Sequence, residues 1–532
     1  MTADASTLPL PDGSPPASGR DIALGDSGER AGTGSWRLAV IFSLGAIVAL
    51  CLLVVVMSAD RPSLLAPASH DNFYPRWMAG PLGGLWPGLT DNGTTLRYWF
   101  SGAIVFMYVA YAVVLWGSTR VDSRWILGSI LVVHAIFIVS PPLALTDVFN
   151  YINYGRMEWV HHLNPYTTIP ILEPHDDPSY ALSNWHQLLS PYGPLFTMLT
   201  FVVVPLGVAA SFWALKGVLA AASLATLVLV YKSARLLGRD PVWAVALVGL
   251  NPIVLVWGLG GDHNDFLMML FIVLAFYLLL RARESERARP QRPSPREWFA
   301  PPSAPLLGAG ATFVVAAGLK ASAAVLIPVV LAGLLNYRRA LAQVLAGMLL
   351  AAVVVGALSL LAFGLHIPDL STQSRLVTSE SVPNLIGMAI GSGGETETLH
   401  KVMTVILILS IAACCWYAWR PRWGPAALRR PARAGAESEP GAAERTIVAC
   451  GWASVALLVT LSWVLPWYVL WVLPLAALSA SRWLRGAALA LGVYLIIAWA
   501  PASGLLWNAI GFHPEKTSLG RLHQRYVREL LN

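Results

Sequence analysis

The 532-residue chain is short of charge: 12% of its residues are Asp, Glu, Lys or Arg, against 56% that are hydrophobic. Soluble domains carry roughly a quarter charged residues, so the composition excludes an ordinary soluble enzyme and a disordered polymer alike. Cysteine is scarce too. All four, Cys51, Cys414, Cys415 and Cys450, fall within apolar runs, so no disulfide framework is expected. Acids are outnumbered by bases, 29 to 36, for a formal charge of +7. That excess raises the question of a nucleic-acid partner, and the placement of the bases answers it. Of the 36 Lys and Arg, 21 lie in six connections, 117–124, 232–240, 281–304, 336–339, 420–445 and 481–485. Segments 145–193 and 366–400 instead hold nine acids against Arg156 and Arg375. This is the positive-inside pattern of a membrane protein, so no nucleic acid is expected.

What is present in abundance is apolar sequence, with a mean hydropathy of +0.60. The fold class is all-α: a polytopic membrane protein of about 13 spans, N-terminus cytoplasmic, in the plasma (inner) membrane. Spans are expected near 38–57, 98–116, 125–144, 212–231, 242–259, 266–281, 305–319, 321–335, 340–363, 401–419, 446–465, 467–481 and 486–506. Residues 1–36, rich in Pro, Gly, Ser and Asp, suit a disordered cytoplasmic tail ahead of a transmembrane domain over 37–507. Stretches 282–304 and 420–445 suit cytoplasmic linkers, and 508–532 a C-terminal tail on the outer side. The apolar stretch 194–210 must not cross fully. If it did, Lys232, Arg235 and Arg239 would face outward, so it is expected to be re-entrant or to lie along the outer surface.

Chemistry concentrates in the long external loop, LTDVFNYINYGRMEWVHHLNPYTTIPILEPHDDPSYALSNWHQLLSPYGP over 145–194. Read as a helix over 147–159, it places Asp147, Asn150, Tyr151, Tyr154 and Glu158 on one face, with Val148, Ile152, Gly155 and Trp159 opposite. A stripe of carboxylate, amide and phenol suits a sugar, whose hydroxyls need donors and acceptors and whose ring faces need aromatic surface. The plainer alternative is a solvated helix face. Asp147 stands out because it adjoins Val148 and Phe149 at the rim of a span, where charge is costly.

A second cluster, Gly260-Gly261-Asp262-His263-Asn264-Asp265, falls between two spans on the same side. It is either a helix cap or a polar corner touching substrate or a donor phosphate. No second His or Cys cluster stands at ligand spacing, so no metal is expected. Lys320 is alone in the apolar run 305–335. At mid-bilayer it would cost about 2.5–3.5 kcal/mol. If two short spans meet there at the outer face, its ammonium can neutralise a phosphate; otherwise it snorkels to the interface. Arg156, His161, His162 and Arg375 are weaker phosphate candidates. Trp463, Trp467, Tyr468 and Trp471 around Pro466 have the composition of an interfacial aromatic belt, with sugar stacking or lipid-tail contact as the alternative.

These residues resemble a known family. TDVFNYINYGRM, NPY and SPYGPLF, then GGDHNDFLM, then a lone Lys320 between short spans are similar to the membrane-embedded GT-C glycosyltransferases that use polyprenyl-phosphate sugars. The likeness is greatest to the polyprenol-phosphate-mannose-dependent α-1,6-mannopyranosyltransferases of lipomannan and lipoarabinomannan synthesis. It covers about 145–335, more loosely 462–471. The resemblance implies polyprenyl-phosphate mannose as donor, a mannan or lipoglycan acceptor, and an active site at the outer face of the bilayer; no cofactor is expected, and a divalent metal is not supported by the residues. It further implies that Asp147 is the catalytic carboxylate, that Tyr192 and Gly193 shape the loop's return to the membrane, and that His263 and Asn264 border the cavity. Many relatives carry a second acid beside the first, whereas Val148 stands here, which argues against metal assistance.

Inverting transfer by direct displacement requires one base and a neutralised leaving phosphate. The expected roles are Asp147 as base, Arg156, His263 and Lys320 at the phosphate, and Asn150, Tyr151, Tyr154, Tyr192, Asp262, Asn264 and Asp265 at the sugars. A transporter or lipid flippase is the competing class. Against it, the polar residues gather in one external loop and no pseudo-symmetric halves are evident.

Overall fold

The computed structural model describes residues 27–59, 75–85, 93–143, 147–287, 303–420 and 442–531, and every regular element among them is helical. In chain order the α-helices are α1 (Ser27–Ala59), α2 (Gly93–Gly117), α3 (Ser123–Ile138), α4 (Asp147–Trp159), α5 (Pro194–Val203), α6 (Val208–Leu236) and α7 (Pro241–Gly249). There follow α8 (Asp265–Arg287), α9 (Ala304–Leu319), α10 (Leu326–Leu334), α11 (Arg338–Phe363), α12 (Leu370–Ser374) and α13 (Val382–Ala389). The last are α14 (Glu397–Trp419), α15 (Ala442–Thr460), α16 (Leu473–Leu478), α17 (Arg482–Trp499), α18 (Ser503–Ala509) and α19 (Ser518–Leu531).

By length and composition, eight of these helices can cross a membrane: α1, α2, α6, α8, α11, α14, α15 and α17. The other five expected spans are short or broken. Segment 125–144 becomes the 16-residue α3, and 242–259 becomes α7 followed by a π-helical turn, Val254–Leu259. Segments 305–319 and 321–335 become α9 and α10, joined through the short turn Ala321–Val325, and 467–481 becomes a 3₁₀ turn, Pro466–Trp471, running into α16. At 1.5 Å per residue, 16 residues reach about 24 Å, less than the roughly 30 Å hydrocarbon core. α5 and the turn after it are shorter still, and Gly207, at φ 83°, reverses the chain into α6. The stretch 194–210 is therefore no full-length span.

Helices in lipid gain nothing from hiding apolar surface from each other, so close backbone approach has to hold them together. α9 packs against both α8 and α11. A Cβ on Gly310 would lie 2.0 Å from the Val344 carbonyl oxygen, and one on Gly347 2.0 Å from that of Leu307. Only glycine at both positions permits this α9–α11 crossing. Large apolar side chains on α11 and α14, among them Leu349, Leu361 and Leu409, remain exposed, as lipid-facing residues do.

Arg283, Asn336, Tyr337 and Arg445 line one cavity of about 560 Å³ with Phe276 and Leu334. Three of the basic connections thus meet at one end of the bundle. Asp265 and Lys320 lie at the other ends of α8 and α9. α19 also belongs to that second end, since the Gln187 N–H donates to the Leu530 carbonyl at 3.0 Å. The C-terminal segment therefore shares the side of the 145–193 loop, and most of it is helical rather than a plain tail.

Two further expectations change. Residues 27–36 of the expected tail belong to α1, while 1–26, like 288–302 and 421–441 of the linkers, lie outside the described residues. α4 does form over 147–159, yet it is no half-solvated helix: Val148 to Gly155 and Met157 are all buried, and Trp159, assigned to the packing face, is half exposed. The loop folds back over the helix and covers its polar face.

Candidate active site

Asp147 begins α4, where a carboxylate complements the helix dipole. Around it lies a cavity of about 350 Å³ whose walls include Tyr151, Tyr192, Lys320, Trp467, Tyr468 and Trp471. Of the residues singled out by sequence, Asp147, Tyr151, Tyr192 and Lys320 line this space, as do Trp463, Trp467, Tyr468 and Trp471.

Lys320 sits where α9 ends and the turn to α10 begins, the junction that relieves the cost of a charge in an unbroken span. Its Nζ donates to both Asp265 carboxylate oxygens, at 2.7 and 2.9 Å, and lies 5.0 and 5.5 Å over the Tyr468 and Trp471 rings. The Trp471 indole N–H donates to Asp265 as well, at 2.6 Å. Lys320 is therefore held, not snorkelling. Its side chain keeps 20% exposure toward the cavity, whereas that of Asp265 keeps 1%. The aromatic group around Pro466 is likewise no interfacial belt, since Trp467 and Trp471 are buried against the site.

The glycine-rich corner is buried throughout, Asp262 to Asp265 included. Asp262 adopts φ 59°, an uncommon conformation for a residue with a Cβ, and a buried ion pair holds it there. Lys216, from α6, donates to both its oxygens at 2.8 and 3.0 Å, and the two side chains are 1% and 2% exposed. His263 is thereby turned to stack on Trp467, with ring centroids 3.4 Å apart. Its Nδ1 comes within 3.3 Å of Asp147 Oδ2 without hydrogen-bond geometry. Asn264 donates its backbone N–H to the Tyr151 hydroxyl at 3.4 Å, while its buried side-chain amide has no partner among the described residues.

Three expected ligand residues hold the loop instead. Asn150 Oδ1 accepts the Asn184 and Trp185 backbone N–H groups, at 3.0 and 3.3 Å. Tyr154 donates its hydroxyl to the Leu188 carbonyl at 2.6 Å. Arg156, expected at a phosphate, donates from both Nε and Nη2 to Asp177, which His161 also contacts at 2.7 Å. Burial alone would raise the Asp177 carboxyl. The Arg156 guanidinium and the Ser179 hydroxyl outweigh it and hold the group well below the usual carboxylate range. Arg156 does not line the cavity.

Gly193 closes the loop. Its N–H donates to the Leu319 carbonyl at 3.2 Å, and a Cβ there would stand 2.2 Å from the Gly318 oxygen. The loop's return is thus pressed against the end of α9, one residue before Lys320, and that contact brings Tyr192 and Lys320 to one cavity. Sequence reasoning does not reach Lys216, although a lone Lys in the apolar run 212–231 is the same signal that marked Lys320. It does not reach Trp185, Gln373 or Ser374 of the cavity wall either, and nothing local distinguishes them. Among the described residues no three His, Cys, Asp or Glu side chains group as a metal site.

The described residues thus form an all-helical protein with eight helices long and apolar enough to cross a membrane, in which the Asp147 carboxylate and the held Lys320 ammonium line one aromatic cavity. The model of the alpha-(1->6)-mannopyranosyltransferase N-terminal domain matches residues 66–336, about half of the chain, and the chain belongs to that family. Alpha-(1->6)-mannopyranosyltransferase A of Corynebacterium glutamicum is 24% identical over 331 residues, covering 54% of this chain and 61% of that relative. The chain thus matches about three-fifths of the relative's length. No solved structure matches it.

Proposed function

We propose that this protein is an inverting α-1,6-mannosyltransferase that moves mannose from polyprenyl-phosphate mannose to a hydroxyl of a growing mannan or lipoglycan. The observation that carries the reading is the single cavity in which Asp147 and Lys320 face the same space among Tyr151, Tyr192, Tyr468 and Trp471. Membership of the family supports the sugar and the linkage. The GT-C layout, the polyprenyl donor and action at the outer face are parts of the same proposal. The gathering of basic connections at the opposite end of the bundle favours that orientation, with the N-terminus in the cytoplasm of a cell bounded by this membrane.

In this mechanism the Asp147 carboxylate takes the proton of the acceptor hydroxyl as its oxygen bonds to the anomeric carbon. The bond from that carbon to the phosphate oxygen breaks, and the electron pair leaves with the lipid phosphate. Lys320 neutralises the charge that develops there, the kind of fixed electrostatic support that is worth most in a water-poor site. His263 borders Asp147 from the buried side. No resident cofactor takes part.

The test is mannose transfer from synthetic polyprenyl-phosphate mannose by the detergent-purified chain. Asp147→Asn is expected to lower turnover by about 10²–10⁴-fold with the fold intact, the range of one general base. Lys320→Ala is expected to weaken donor use. Near wild-type transfer by the Asn variant refutes the base assignment, and lipid translocation by wild type without any transfer would favour a flippase.

A further inference from the structure

The cavity has two kinds of wall. One is made by Ser322, Leu457, Leu461 and Trp471, from the helices and turns of the bundle. The other is made by Trp185, Leu188, Leu370, Gln373, Ser374 and Leu376, from the loop and the α12 segment, with Trp463 against Trp185. Nothing in the donor chemistry uses the second wall, and much of it lies beyond residues 66–336, where the family match ends.

That second wall has the composition of a sugar-binding surface. The Trp185 and Trp463 indoles meet edge to face, with centroids 6.3 Å apart, and both remain partly exposed. Among the described residues neither indole N–H has a hydrogen-bond partner, and neither does the side-chain amide of the half-buried Gln373. Ser374 donates to the Ser371 carbonyl at 2.7 Å, which leaves its oxygen free to accept. A pyranoside offers an apolar C–H face and a rim of hydroxyls. An indole, an amide with both donor and acceptor, and a hydroxyl oxygen complement those two surfaces.

The surface is also braced, as a binding site must be and an incidental patch need not be. Leu188, Leu376 and Leu530 of α19 form a small buried cluster, against which Trp185, Trp463, Tyr526 and Val527 pack. α19 ties down both sides: Leu530 accepts from Gln187, and the Tyr526 hydroxyl donates to the Thr372 carbonyl at 3.4 Å. Asn150 fixes the Trp185 backbone from α4, the helix that carries Asp147.

We propose that Trp185, Trp463 and Gln373 form the acceptor subsite, which holds the terminal mannosyl unit of the glycan with its attacking hydroxyl at Asp147. The α19 segment keeps this subsite rigid, and Asn150 is a positioning residue for it. This assignment rests on the mannosyltransferase reading and adds where the acceptor binds.

The experiment uses the full chain in detergent, synthetic polyprenyl-phosphate mannose and octyl α-1,6-dimannoside, with each substrate varied at saturation of the other. Trp185→Ala, Trp463→Ala and Gln373→Ala are each expected to raise the acceptor KM about five- to tenfold while the donor KM stays within twofold. Trp185→Phe, which keeps a ring, is expected to recover most of the loss and guards against misfolding of the Ala variant. An unchanged acceptor KM, or equal changes for both substrates, overturns the subsite. Saturation-transfer NMR of the dimannoside on the same protein separates the two readings. Binding that Trp463→Ala abolishes, in a protein that transfers no mannose, leaves the subsite standing and refutes the activity. Transfer without an effect of these three residues does the reverse.

Discussion

The ion pair between Lys216 and Asp262 allows a quantitative test of how the polar corner is held. Lys216→Met keeps the length and flexibility of the side chain but leaves a carboxylate that is 2% exposed without its partner. Removing one member of a buried pair costs about 3–5 kcal/mol, because the remaining charge is neither solvated nor paired. Asp262→Asn strands the ammonium instead, at a similar cost, and asparagine tolerates the φ of 59°, so backbone strain does not confuse the comparison. The two single variants would sum to about 6–10 kcal/mol if the residues acted independently. The double variant buries no charge and loses little more than one hydrogen-bonded contact, about 1–3 kcal/mol. A coupling of several kcal/mol is therefore expected from the double-mutant cycle. It can be read from tryptophan fluorescence during SDS titration of the protein in mixed micelles. Additivity within about 0.5 kcal/mol would show that the contacts of 2.8 and 3.0 Å do not hold the corner, and the argument for how His263 is presented would fall.

Gly193→Ala places a methyl group 2.2 Å from the Gly318 oxygen and 2.7 Å from its carbonyl carbon, both backbone atoms that cannot swing away. A loss of about 1–3 kcal/mol is expected, with faster proteolysis of the 160–190 loop, and an unchanged cleavage rate would contradict the close approach. Glu173, buried in the same loop, has its pKa pushed up to about 8 by that burial, which outweighs the lowering effect of the Asn153 amide. An acid raised above its unfolded value binds more protons folded than unfolded, so the loop is expected to weaken as pH rises from the ordinary glutamate range to about 8, by up to about 1.4 kcal/mol per pH unit. Glu173→Gln is expected to flatten that slope in limited proteolysis between pH 5.5 and 8.5, and a slope equal to wild type would assign it to another group.

Much of the site was legible because membranes make charge conspicuous. Asp147 stands out as a charge at the rim of a span and Lys320 as a charge alone within an apolar run, and both line the cavity. The helix over 147–159 was equally legible, but its surroundings were not. A polar stripe on a helix says only that something polar must meet it, and here that partner is the chain's own loop, through Asn184, Leu188 and Asp177. Arg156 makes the same point: a guanidinium suits a carboxylate as well as a phosphate, and in this fold it pairs with Asp177.

Composition and the distribution of charge by themselves determined that the chain is an all-helical membrane protein, which end of it collects the basic connections, and which acid faces a polar space. Those properties follow from desolvation costs that each residue carries wherever it sits. Tertiary structure alone decided that Lys320 is clamped by Asp265 and Trp471, that Lys216 secures Asp262, and that α19 braces a wall made by Trp185, Gln373 and Trp463. These partners stand tens to hundreds of residues apart, and the energy of such contacts depends on distance and burial, which no local pattern in the chain encodes.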